Sequence, residues 1–184
     1  MAKYAIGEDI DVAAVMSGAH FNVLKDIEVE DGHIAYSTLD GMLFDKDKST
    51  LLYCGGIRGE VRLPETVETI YSGAFVSATA SKVYFPSSVK NFGMMSLPVI
   101  SKEKGKLHLY LPCAEPPEIA ANQNVGKLTA YRVTTESARK TSTAMHDIKT
   151  VLHVPKGCKQ KYLDHPVWGK LFGGDNGEIK DDIK

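Results

Sequence analysis

One phrase, apolar, variable, apolar, proline, occurs four times in this chain: Val61-Arg62-Leu63-Pro64, Val83-Tyr84-Phe85-Pro86, Leu109-Tyr110-Leu111-Pro112 and Leu152-His153-Val154-Pro155. Successive side chains of a β-strand point to opposite faces, so the two apolar residues share one face and the variable residue takes the other. Proline lacks the N–H that would continue the ladder, which ends the strand there. The first two copies agree further, through Val67 and Ile70 in one and Val89 and Phe92 in the other, and their prolines lie 22 residues apart. A period of that length is the signature of a solenoid. No single unit of this size can bury its own apolar face, so stacked neighbours must do it together. The pattern predicts a mainly β fold with parallel strands at 27–29, 61–63, 83–85, 109–111 and 152–154, and with Leu63, Phe85, Leu111 and Val154 facing inward.

Interruptions of the period carry information of their own. The runs Gly41-Met42-Leu43-Phe44 and Thr50-Leu51-Leu52-Tyr53 flank the polar stretch Asp45 to Ser49, which predicts a hairpin inserted into the solenoid and projecting from it. Gly55-Gly56-Ile57-Arg58-Gly59 lacks the lysine and the following Ser or Thr of a phosphate loop, and is expected to be the turn into the next strand. Between Pro112 and Leu152 the spacing is too long for one repeat, so Thr134 to Ala144 is an insertion, either a mobile loop or a short surface helix. Pro155 is expected to open a helix that puts Cys158 and Tyr162 on one side, with Trp168 and Phe172 closing the end of the stack. The tail from Gly173 is expected to be frayed. Residues 1–184 are expected to form a single domain, with 1–23 a degenerate N-terminal repeat or cap and 152–172 the closing segment.

Composition narrows the functional classes. Lys plus Arg at 22 against Asp plus Glu at 23 leaves a formal charge of −1, which gives no field to draw nucleic acid or an anionic membrane. No apolar run approaches the roughly 18 residues a membrane helix needs. The histidines at 20, 33, 108, 146, 153 and 165 never pair at helical i, i+4 spacing, so no metal site is expected and they are taken as solvated or singly hydrogen-bonded. Cys54, Cys113 and Cys158 are too few and too far apart for a disulfide framework and are expected to be small buried hydrophobes. No nucleophile elbow or zinc-protease motif is present, and no cofactor signature is found. The expectation is a protein without catalytic residues.

Three stretches resemble one known family. The segment from Leu24 through Tyr53, with Asp40-Gly41-Met42-Leu43-Phe44-Asp45-Lys46-Asp47-Lys48 at its centre, resembles the hairpin insert of the BspA-type leucine-rich-repeat proteins found on the surfaces of gut and oral anaerobic bacteria. Ile70 followed by Ala74-Phe75 is similar to that family's turn, and Val154-Pro155-Lys156-Gly157-Cys158-Lys159-Gln160-Lys161-Tyr162 with Trp168 is similar to its closing segment. Together these cover residues 24 to 112 and 152 to 172. The chain departs from the pattern at Tyr71, where the family prefers glycine, and at Ser96-Leu97, which replaces Ala-Phe, so the regular stack is expected to break near residue 95. The resemblance implies a short leucine-rich-repeat solenoid with a β-hairpin insert and a C-terminal capping helix. It also implies an extracellular or cell-surface location with an adhesion-type role. Met1-Ala2-Lys3-Tyr4 lacks a signal peptide's apolar middle, so by sequence the chain is either a cytosolic protein or a mature extracellular segment without its export signal, and the resemblance favours the second.

The variable residues remain. Stacking should align Glu28, Arg62, Tyr84, Tyr110 and His153 on one outer surface, and tyrosine and arginine are enriched where proteins meet partners. The expected function is a non-catalytic surface module that binds a protein or glycan through this strand face; the alternative is a spacer or assembly subunit.

Overall fold

The computed structural model describes residues 3–6, 26–54, 58–75, 78–98, 106–123, 150–175 and 177–184. In chain order the strands are β1 (Lys3–Ile6), β2 (Asp26–Val29), β3 (Tyr36–Leu39), β4 (Met42–Asp45), β5 (Thr50–Tyr53), β6 (Arg58–Arg62) and β7 (Thr69–Ile70). They continue as β8 (Thr79–Tyr84), β9 (Asn91–Phe92), β10 (Leu107–Tyr110), β11 (Glu118–Ile119) and β12 (Thr150–Pro155), followed by helices α1 (Lys159–Asp164) and α2 (Trp168–Phe172) and strand β13 (Gly177–Ile183). Most of the region between the third and fourth phrases, residues 124–149, lies outside the described residues, as do most of 1–25 and Gly55 to Ile57.

Each repeat lays one strand in each of two sheets. The first sheet is wholly parallel, in the order β13-β12-β10-β8-β6; the second runs β11-β9-β7-β5-β4-β3. Pairing keeps the period: Val61 lies opposite Val83, Val83 opposite Leu109, and Leu109 opposite Leu152. In the first three copies the third residue of the phrase lies just past the strand but still bonds to the next rung. Leu63 N–H donates to the Tyr84 carbonyl at 3.1 Å, Phe85 N–H to Tyr110 at 2.9 Å and Leu111 N–H to His153 at 2.9 Å. The proline then turns the chain, and its carbonyl accepts from the N–H three residues on, at Val67, Val89 and Cys158. Thr69 next pairs with Asn91, and Asn91 with Glu118, in the second sheet.

The core lies between the sheets. Leu63, Phe85, Leu111 and Val154 are all buried there, as expected, with Ile70, Phe92 and Ile119 facing them from the second sheet. Phe85 meets Phe75 and Phe92 edge to face, at ring separations of 6.2 and 5.1 Å. Trp168 closes one end: its ring packs edge-on to Phe92, and its indole N–H donates to the Pro117 carbonyl at 2.8 Å. Tyr162 beside it donates its hydroxyl to the Cys113 carbonyl at 2.8 Å. The result is a mainly β solenoid with short stacked parallel strands.

Four local expectations are corrected. Residues 177–183 are not frayed; β13 pairs along β12, with Ile179 opposite Leu152 and buried, because its alternation continues the inner row. Pro155 does not open the helix: it ends β12, and α1 begins after Cys158. β2 does not join the five-stranded sheet, since its described partner is β1. The hairpin does not project. β5 pairs in parallel with β7, and Met42, Phe44 and Leu51 belong to the common core. A further strand, β3, joins through Asp40-Gly41, both with positive φ, the two-residue turn that fits hairpin twist.

The loop after β4 is held from inside. Asp45 accepts from the Ser49 N–H at 2.7 Å, the Thr50 N–H at 3.0 Å and the Ser49 hydroxyl at 2.5 Å, while the Ser49 carbonyl accepts from Glu68 and Thr69. Partial burial raises the Asp45 carboxyl, but these hydrogen bonds outweigh it and hold the group below its ordinary value of 3.8. Such a group stabilises the fold above its unfolded value and loses that contribution as pH falls through the folded one. Asp45→Asn should therefore lower stability at neutral pH and flatten the acid limb of the stability curve below about pH 4, read by urea denaturation across pH.

The stack does not break near residue 95, since β8 pairs with β10 and β9 with β11, but the turn there is irregular. Gly73 takes φ +73° in one repeat, and its counterpart one period later is Met95, at φ +49°. A left-handed residue with a Cβ costs about 1 kcal/mol or more. Ser96, the counterpart of Ala74, is fully buried, and its hydroxyl has no partner among the described residues. The Gln123 side chain rescues the backbone of this turn, accepting from the Ser96 N–H at 3.1 Å and donating to the Gly93 carbonyl at 2.6 Å. Because the orphaned hydroxyl is the defect, Ser96→Ala should raise stability by about 1 kcal/mol in equilibrium denaturation; a loss would show that the hydroxyl has a partner.

Candidate binding face

The outer surface of the five-stranded sheet presents the variable residue of each phrase. Register pairs Arg62 with Tyr84, Tyr84 with Tyr110, Tyr110 with His153 and His153 with Lys180. Adjacent strands in a sheet lie about 4.8 Å apart, so flat side chains at matching positions can stack face to face. They do. Tyr84 and Tyr110 have ring centres 4.5 Å apart at 8°, and Tyr110 and His153 are 4.3 Å apart at 11°. The Arg62 guanidinium carbon sits 3.7 Å over the centre of the Tyr84 ring, a cation–π contact.

Four of the five expected site residues thus form one ladder. Glu28 does not join it: the residue is exposed, but it lies on β2, paired with β1 rather than with β6. His153 lies on the expected face yet is not open to solvent, its side chain being only 7% exposed. It is covered by the Tyr110 ring, by Asp182 and by His108.

A second outer row, two residues upstream in each strand, escaped the sequence reading. Glu60 pairs with Lys82, which pairs with His108. The signal was available, since period-two alternation puts residue i−2 on the same face as residue i. Lys82 donates to Glu60 at 2.5 Å, and Arg62 lies 3.7 Å from the same carboxylate. His108 Nδ1 is 2.9 Å from His153 Nε2, and His153 Nδ1 is 2.8 Å from the Asp182 carboxylate. Burial lowers the proton affinity of His108, reinforced by His153 and by the positive charges of Lys180, Lys106 and Lys82. Burial and the neighbouring Tyr84 raise Tyr110, so its phenol keeps its proton at neutral pH.

The thiols of Cys54 and Cys113 are buried, which pushes them up to about 12 and about 11, and makes poor nucleophiles of them. Among the described residues no group of three or more histidine, cysteine or carboxylate side chains is placed to hold a metal.

No protein-family model matches the chain, and no curated protein matches it significantly. Two solved structures are similar. A leucine-rich repeat protein from Eubacterium ventriosum superposes with a TM-score of 0.46 at 18% identity, over 75% of this chain and 39% of that one. The pneumococcal vaccine antigen PcpA superposes with a TM-score of 0.37 at 14% identity, over 87% of this chain and 51% of that one. The chain therefore spans well under two thirds of either.

Ring stacking within the ladder is itself measurable. Tyr84→Ala, Tyr110→Ala and the double variant, compared by equilibrium denaturation, should give a coupling energy of about 0.5 to 1.5 kcal/mol, the value of an aromatic pair beyond its buried area. Simple additivity would mean that the rings do not stack in solution.

Proposed function

We propose that the chain is a non-catalytic protein-interaction module of a surface-displayed or secreted protein, and that its partner docks on the ladder of Arg62, Tyr84 and Tyr110. The observation that carries this reading is how the rings are used. Tyr84 has Arg62 on one side and Tyr110 on the other, and Tyr110 has Tyr84 and His153. Sugar rings are gripped by aromatic side chains through an open ring face, and this row leaves none. What it offers outward is a set of fixed edges: two phenol hydroxyls, a guanidinium, and the Glu60–Lys82 pair beside them. That chemistry suits a hydrogen-bonding protein surface better than a glycan. Stacking also fixes the rotamers before a partner arrives, which lowers the ordering cost of association. The surface location rests on the resemblance to BspA-type proteins; no helix among the described residues is long and apolar enough to cross a membrane.

The test removes the outward groups while keeping the ring-on-ring stack of residues 84, 110 and 153. Labelled chain is screened on arrays of purified extracellular proteins and of glycans, and the binders are retested with a variant carrying Arg62→Ala, Tyr84→Phe and Tyr110→Phe. The wild type should capture proteins. The variant should keep its fold by circular dichroism and lose thirtyfold or more in affinity, about 2 kcal/mol. Full affinity in the variant, or capture of glycans alone, would remove this reading. Loss only of self-association, read by light scattering, would favour the spacer alternative.

A further inference from the structure

Beyond the ladder itself, the C-terminal end of the sheet carries a hydrogen-bonded chain that spans three strands. His108 on β10 meets His153 on β12 at 2.9 Å, and His153 meets Asp182 on β13 at 2.8 Å. We propose that His108, His153 and Asp182 form a proton-responsive clasp, which keeps both hydrogen bonds when it gains one proton and opens when it gains a second.

Proton placement on the four ring nitrogens gives the reason. The Asp182 carboxylate accepts, so His153 Nδ1 carries a hydrogen and donates. In the uncharged pair, His153 Nε2 is then the acceptor and His108 Nδ1 the donor, leaving His108 Nε2 without a hydrogen. One added proton makes the pair cationic while still leaving a single hydrogen between the facing nitrogens, on one ring or the other, and the Asp182 carboxylate balances the charge. A second proton fills all four nitrogens. Two N–H groups would then point at each other across 2.9 Å, and the rings must separate. The surroundings oppose that second charge. Lys82 faces the pair from β8, Lys106 from the residue before β10 and Lys180 from β13, while β10 also brings Tyr110 and β13 brings Glu178. Glu60 is already bonded to Lys82, and Glu178 lies 3.8 Å from Lys180, so neither carboxylate is free to balance the pair. His153 is nearly closed to solvent and stacked under Tyr110, so parting the clasp uncovers the histidine end of the ladder.

The sign follows from linkage. The doubly protonated pair would have two N–H groups facing across 2.9 Å, so the folded chain takes up that second proton less readily than the unfolded one. The fold therefore loses stability as pH falls through that second step. This proposal does not rest on the binding reading, and its test needs no ligand. Side-chain nitrogen NMR of the full chain is followed from pH 8 to 4, with melting temperature measured at the same points. In the wild type, the His108 and His153 signals should move together in two steps at least tenfold apart in proton affinity. In His108→Gln, His153 should show one step, and the drop in melting temperature on acidification should shrink. Asp182→Asn, at a site half open to solvent, should move the first step to lower pH. Single, independent titrations of both rings in the wild type, or an unchanged pH dependence of melting in His108→Gln, would overturn the proposal.

Discussion

Register is the constraint on which the structure depends. Parallel strands stacked without slip bring the same position of successive repeats to within one strand spacing, about 4.8 Å. On the inner side this makes continuous apolar rows, Val61, Val83, Leu109, Leu152 and Ile179 among them. On the outer side it makes the ring ladder. Both rows come from the same backbone pairing, so a slip of one residue would expose the first and bury the second. The proline that closes each phrase protects that register by forbidding the strand to run on.

Much of this was legible, because a short period-two phrase repeated at a near-constant interval specifies both the face and the neighbour of each residue. Arg62, Tyr84, Tyr110 and His153 were placed on one row from sequence, and the structure puts them there. Glu28 was placed with them by the same phrase, without a proline after it, and the phrase alone does not identify the partner strand. The weakest inferences concerned elements that use the pattern once. β13 has no proline and a charged composition, yet Gly177 and Ile179 alternate inward as any other rung does. His108 and Asp182 were missed because a hydrogen bond between strands far apart in sequence leaves no local mark.

Where the repeat departs from itself, the structure repairs the damage from the next rung. Gly93 must be glycine because a Cβ there would stand 2.7 Å from the Ser72 backbone nitrogen of the rung below. The turn that follows keeps the left-handed geometry of its counterpart at Gly73, which Met95 adopts at a cost, and the turn's N–H groups are met by Gln123 from the rung above. In a solenoid, the neighbouring repeat is always close enough to supply a side chain of this kind.

The same nearest-neighbour logic determines what the outer face shows to solvent. Two tyrosines in adjacent rungs could have made an apolar patch, and large exposed patches invite nonspecific association. Here their faces are spent on each other. A cation covers the row at Arg62, and Lys180 follows His153 in register at the opposite end, so the ladder begins and ends in charge. β13 then carries Lys180, Asp181 and Asp182 along the sheet margin, and charged residues on an edge strand discourage the pairing of a foreign one. A face built this way is rigid without being greasy. On the proposed reading, partners would be told apart by the placement of its hydroxyls, its guanidinium and its ion pair, and the position of each strand in the stack sets that placement.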